Sequence, residues 1–174
     1  HHSDDERLVA SARAPVADPP DLVVVTTGAG LRGWLEAAEV AGLHGSLTDA
    51  LSSARIFARG PKAKGALVAH GLTPGWVAES ETTAEITEHL LALGVDGASV
   101  AVQHHGNGSD GLDEALTAAG ARVSPLVVYR WGPAPDPAAV TASTRAAAAG
   151  EVDAVVFTSA PAVVAWFAAA DAAG

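Results

Sequence analysis

Short Val-rich apolar runs recur along the 174 residues, each followed by Gly, Pro or a hydroxyl residue and then by apolar positions at helical spacing. Such runs of four to six residues, alternating with 3.6-spaced segments, are the mark of βα units around a parallel sheet. The pattern predicts helix over 4–14, strand over 22–26, helix over 30–41, a helical piece near 46–53, strand over 55–59 and helix over 62–70. A short strand at 76–78 follows, then helix 83–93, strand 98–103, helix 110–119, strand 122–130, helix 137–149, strand 153–158 and helix 161–171. The alternation is that of an α/β protein. The Pro-rich "RWGPAPDPAA" after Tyr129 interrupts either regular structure and is the best linker candidate.

The first strand–helix junction, "VVVTTGAGLRGW", contains Gly28-Ala29-Gly30-Leu31-Arg32-Gly33, which reads as G-x-G-x-x-G. A dinucleotide-binding turn also needs an acidic residue at the end of the next strand to hold a ribose. The next strand, "ARIFARG", ends in Arg59 and Gly60 and carries no carboxylate, while Asp49 lies in a helix or loop. An internal echo decides the matter. "DLVVVTTGAGLRGWLEAA" from Asp21 aligns without gaps to "DAVVFTSAPAVVAWFAAA" from Asp153, and the second copy has no glycine at its turn. What the two turns share is Thr26-Thr27 and Thr158-Ser159, hydroxyl residues where strand becomes helix. They read either as plain helix N-caps or as caps beside free N–H groups that bind a carboxylate.

About half the residues are apolar, enough for a substantial core in one large domain or two small ones. No run approaches the roughly 18 to 20 apolar residues of a membrane span, and the polar start "HHSDDERL" is not a signal peptide. The lack of Cys excludes disulfides and thiolate chemistry and fits a reducing cytoplasm. The seven His show no H-x-x-x-H pairing, so no metal is assigned. A net charge of −10 argues against nucleic acid as a partner of this segment. Positive charge is concentrated in one place, where Arg55, Arg59, Lys62 and Lys64 fall within ten positions, as a solvated helix start or an anion-facing edge. The absence of Met implies that His1 is not a native start, and the two leading His read as tag remnants.

Taken in order, these segments resemble uroporphyrinogen-III synthases. "VVVTTGAGL" and "VVFTSAPAVV" are similar to that family's T-S-x-x-A-V-like turns, and "ARGPKAKGALVAHGL" to its v-G-x-x-T-a-x-a-L-x-x-x-G segment, with Gly60, Lys62, Leu67 and Gly71 in place. "SVAVQHHGNGSDGLDEALTAAGARV" resembles the later strand, loop and helix, and "LVVYRW" the V-Y strand. The resemblance implies two similar α/β lobes with parallel sheets joined by a two-strand linker. Residues 3–129 would form a complete α/β lobe, and 130–174 the linker and part of the second lobe, whose remainder is absent from this chain. Three departures stand out: Ala63 replaces the usual Thr, His104 stands where Arg is frequent, and a recognisable opening strand and helix are lacking. Some actinobacterial relatives join the synthase region to a DNA-binding regulator domain.

The implied substrate is hydroxymethylbilane, a linear tetrapyrrole with eight carboxylates. Closing it loses the terminal hydroxyl as water and inverts the last pyrrole ring through a spiro intermediate, with no cofactor, in a cytoplasmic monomer that meets no membrane. Tyr129, the only tyrosine, matches the family's Tyr and is the candidate proton donor, or else an amphipathic residue whose hydroxyl is merely satisfied. His104 and His105 are the runner-up acids. The candidate substrate-binding residues are Thr26, Thr27, Gly28, Gly60, Lys62, His104, Gly106, Thr158, Ser159 and Ala160. The rival readings are a non-catalytic tetrapyrrole-binding or sensory module of a fused regulator and, further off, a bilobed small-molecule binder of the periplasmic type.

Overall fold

The computed structural model describes residues 5–104, 110–127, 134, 136–157 and 160–173. The chain divides into two compact units, His1–Trp131 and Gly132–Gly174. The first contains α1 (Asp5–Ala17), β1 (Leu22–Val25), α2 (Gly28–Val40), α3 (His44–Ser53), β2 (Arg55–Ala58), α4 (Pro61–Ala69) and β3 (Trp76–Val77). It continues through α5 (Thr83–Leu93), β4 (Ser99–His104), α6 (Leu112–Ala118) and β5 (Arg122–Val127). The second unit contains α7 (Pro137–Ala148) and α8 (Ala160–Ala173).

The five strands form a parallel sheet in the order β3-β2-β1-β4-β5. All four residues of β1 are buried, as expected of a central strand with helices on both faces. Its alternation sorts the core into two layers. Val23 and Val25 join Leu31, Trp34, Leu47, Leu51, Ile56 and Leu67 on the face of α1–α4. Leu22 and Val24 join Phe57, Ile86, Leu90, Val100, Val102, Leu112 and Leu116 under α5 and α6. Fully burying one such aliphatic side chain contributes about 1.5–3 kcal/mol, so disturbing β1 removes support from both layers at once.

Polar ties close the ends of the elements. At the start of the sheet, the Asp21 carboxylate accepts from the Ser99 N–H and Ser99 hydroxyl, both at 2.8 Å. These bonds hold its pKa below the usual carboxylate value, the backbone bond contributing most. Thr82 caps α5 by accepting from Glu85 N, and Glu85 in turn accepts from the Ser80 hydroxyl and the Glu79 and Ser80 amides, which lowers its pKa. The predicted helix at 110–119 is shorter, because Gly111 adopts a left-handed φ of 87° and starts α6 at Leu112. Strand pairing of β5 is described to Val127, and 128–130 lie outside the described residues.

In the second unit Asp136 caps α7 by accepting from Ala139 N at 2.9 Å, with Pro137 in the first turn. The predicted strand at 153–158 is not formed over Asp153–Phe157. A strand is held by its neighbours, and no described segment of this unit pairs with it. Val156, the counterpart of the fully buried Val24 in the echo, is 84% exposed. The echo nevertheless extends into three dimensions. Trp34 Nε1 donates to the Ser11 carbonyl of α1 at 3.0 Å, and Trp166 Nε1 donates to Ser143 Oγ of α7 at 3.0 Å, both across 23 residues. The repeat therefore takes in the helix before each echo, α1 and α7, and is one element longer than the sequence echo from Asp21 and Asp153.

Candidate functional site

In an open parallel sheet, ligands bind beyond the carboxyl ends of the strands where the strand order reverses. Here the chain runs outward from β1 through β2 to β3, then returns to β4 and β5 on the other side, so the reversal lies between β1 and β4. Six of the sequence-selected residues gather along this edge: Thr26, Thr27 and Gly28 after β1, Gly60 and Lys62 after β2, and His104 at the end of β4.

Thr26 is buried and donates through Oγ1 to the Gln103 carbonyl at 2.7 Å. Thr27 is the N-cap of α2, its Oγ1 accepting from Gly30 N at 3.1 Å, which is why the helix begins at Gly28 and not Gly30. Gln103, fully buried, accepts from Thr27 N at 3.2 Å and donates through Nε2 to the His104 carbonyl. A buried polar side chain of this kind clamps the turn because each of its partners would otherwise be an unpaired backbone group.

The glycine pattern has a packing cause. A Cβ at Gly30 would collide with the Gln103 amide, and a Cβ at Gly28 would lie 2.6 Å from the Lys62 carbonyl oxygen. Gly28 thus lets the starts of α2 and α4 approach each other. Their first-turn amides at Gly28 and Ala29, and at Lys62 and Ala63, have no protein acceptor among the described residues, whereas Gly30, Leu31 and Lys64 N–H groups are paired. Free N–H groups at a helix N-terminus, with the dipole behind them, favour a carboxylate or phosphate.

Gly60 is the N-cap of α4, Pro61 occupies its first turn and the exposed Lys62 follows. Glu81, at a φ of 58°, lies over Gly60: a Cβ there would be 2.9 Å from Glu81 Cγ. Ala63, which stands where the family resemblance expects Thr, lies on the buried face of α4 and packs into the core. The basic cluster does not hold together as one edge. Arg55 opens β2, at the opposite end of the strand from Arg59, with its guanidinium 5.7 Å from the Phe57 ring centroid. Four strand residues span about 13 Å, so Arg59, Lys62 and Lys64 lie toward the other end.

His104 is 3% exposed, and its Nε2 is 2.8 Å from Asp113 Oδ2 on α6. His105, Gly106, Tyr129, Thr158 and Ser159 lie outside the described residues. Ala160 opens α8 in the second unit. Sequence reading missed Gln103 and Asp113. The signal for Gln103 was a polar residue closing the apolar run "SVAVQH"; for Asp113 it was a carboxylate in the first turn of the helix after His104.

A family model described as uroporphyrinogen-III synthase HemD matches residues 1–174. The chain belongs to the uroporphyrinogen-III synthase family. It is similar to the crystal structure of wild-type uroporphyrinogen III synthase from the extremely thermophilic bacterium Thermus thermophilus, with 34% identity and a TM-score of 0.64 over 97% of this chain and 61% of that one. A mutant form of that synthase gives 31% identity and a TM-score of 0.66, covering 98% of this chain and 64% of the other. "Uncharacterized protein YjjA" of Bacillus subtilis (strain 168) is 33% identical over 156 residues, 90% of this chain and 57% of that protein. The chain therefore spans about three fifths of the length of these relatives. Among the described residues, no helix is long and apolar enough to cross a membrane.

Proposed function

We propose that this chain is part of a uroporphyrinogen-III synthase, a lyase that cyclises hydroxymethylbilane to uroporphyrinogen III with loss of water and inversion of the terminal pyrrole. The observation that carries the reading is the convergence of two helix starts, at Gly28 and Lys62, on the carboxyl edge of a parallel sheet in a member of this family. Four first-turn amides there, unpaired among the described residues, suit a substrate rich in carboxylates, and they explain how a protein of net charge −10 could hold an octa-acid. Lys62 adds a full positive charge beside the same dipole.

In this reading Thr26 and Thr27 act mainly by shaping the turn, since their hydroxyls are committed to Gln103 O and Gly30 N. Gly28 serves the substrate by bringing the starts of α2 and α4 together, and Gly60 by opening α4 beneath Glu81. Tyr129 donates the proton that lets the terminal hydroxyl leave as water, and Gly106, Thr158, Ser159 and Ala160 complete the contacts, the last three by their echo of the first turn. Residues 130–174 belong to a second α/β lobe, joined to the first by a two-strand linker. The floppy bilane must be held in one curled conformation, and such positioning can supply roughly 7 to 11 kcal/mol of an intramolecular barrier.

The test is to incubate the protein at full length with freshly prepared hydroxymethylbilane and separate the products. Catalysed formation of the type III isomer is expected. Type I alone, the product of uncatalysed closure, would refute the proposal.

A further inference from the structure

We infer that Asp113 is a positioning residue that fixes the tautomer of His104, so that the imidazole offers an acceptor nitrogen to a pyrrole N–H. The inference rests on the synthase reading for its ligand and on the geometry of the pair for its chemistry. β1 and β4 are last paired at Val25 and Gln103, so Thr26 and His104 come next, side by side at the reversal of strand order. His104 is almost wholly buried, and Nε2 meets Asp113 Oδ2 at 2.8 Å. A carboxylate only accepts, so the ring proton resides on Nε2, and in the neutral ring Nδ1 keeps its lone pair.

No described residue bonds Nδ1. The second carboxylate oxygen, Asp113 Oδ1, is buried and has no hydrogen-bond partner among the described residues. A pair serving only to hold α6 on β4 would gain from satisfying Oδ1, because buried polar groups are costly when unpaired. A buried carboxylate that engages one imidazole nitrogen, as Oδ2 engages Nε2 here, holds the ring in one tautomer and orientation for work at its other nitrogen. Each pyrrole of a linear tetrapyrrole carries an N–H donor, and Nδ1 of the neutral ring is a matching acceptor.

The experiment uses the protein at full length with ¹⁵N-labelled imidazoles, assigned through His104→Gln. Nitrogen shifts should show Nε2 protonated and Nδ1 bare in the neutral ring. Asp113→Asn keeps the shape but can donate to Nε2, and it is expected to move the proton to Nδ1. With hydroxymethylbilane the variant should lose about tenfold in kcat/KM, the equivalent of one hydrogen bond, and release more type I isomer. Asp113→Glu should retain the Nε2 proton and recover part of the rate. Should Asp113→Asn not fold, Asp113→Ala replaces it, with loss of the bias toward Nε2–H expected. A wild-type proton on Nδ1, or a reversed tautomer with unchanged kcat/KM and isomer ratio, would overturn the inference. Wild-type protein with the Nε2 proton but no type III product would overturn the synthase reading and, with it, the pyrrole as donor.

Discussion

Replacing Gly30 by Ala tests whether the glycine pattern at the first turn serves packing. Ala is ordinarily the better helix residue by about 0.5–1 kcal/mol, so propensity alone predicts a gain. The structure predicts a loss. The new Cβ collides with the Gln103 amide and must push it aside, which breaks the bonds from Thr27 N and to the His104 carbonyl. Leaving a buried polar group unpaired costs about 1–3 kcal/mol, so two broken bonds, less the propensity gain, put the net destabilisation near 3 kcal/mol. Urea unfolding followed by circular dichroism reads this directly: with a slope of about 1–3 kcal/mol per molar, the midpoint should fall by roughly 1–3 M. Gly65→Ala is the control, because that glycine lies inside α4, is exposed and has nothing within 4 Å of its Cβ position. It should raise the midpoint. A double-mutant cycle sharpens the test: on a Gln103→Ala background the clash is gone, and Gly30→Ala should add no further loss. Equal stability of Gly30→Ala and the parent, or strictly additive losses in the cycle, would refute the packing argument.

Asp21 should contribute stability at neutral pH that is lost on acidification. Its folded pKa lies below the usual 3.8, so the contribution is present above that value and disappears as pH falls through the lowered one. Asp21→Asn should therefore flatten the fall of the urea midpoint between about pH 5 and pH 2, and an unchanged acid slope would count against the Ser99 tie. Lys62→Glu should weaken tetrapyrrole binding more than Arg145→Glu; equal losses at low and high salt alike would mean that only general electrostatics is at work. Tyr129→Phe should lower turnover toward the lower end of the 10²- to 10⁴-fold typical of a general acid, with KM little changed and type I isomer accumulating, and an unaltered rate and isomer ratio would remove Tyr129 from the chemistry.

What was legible in the sequence is what depends on a residue's own periodicity. Helix α5 over Thr83–Leu93 follows directly from its apolar spacing and from Thr82 and Glu85 at its start, and Val-rich β1 and β4 announce strands buried on both faces. The turns at the ends of β1 and β2, where the candidate site residues fall, were legible for the same reason, because a strand end followed by Thr-Thr or Gly-Pro fixes where the chain turns. What was hidden depends on partners distant in the chain. Gln103 and Asp113 act through groups on other elements, and no local pattern distinguishes a clamp from an ordinary polar residue. Arg55 and Arg59 are four positions apart, but a strand separates them to opposite ends of the sheet, so proximity in sequence misread one basic cluster where there are two places.

The segment 153–157 makes the same point from the other side. Its Val155 and Val156 echo Val23 and Val24, yet β1 is a strand because β2 and β4 flank it and α5 and α6 cover Val24, while Val156 is left in solvent. The local helical part of the repeat survives without that cover: Trp166 finds Ser143 on α7 as Trp34 finds Ser11 on α1. Helix pairs close through short-range contacts, whereas a parallel strand needs neighbours that arrive only after a crossover. The hydroxyl turn at Thr26-Thr27 depends on the same condition, since the bonds that shape it run to Gln103 on the neighbouring strand. A turn of this type becomes a binding edge only when the sheet beside it is assembled, which ties the proposed activity of the second turn to the pairing of 153–157.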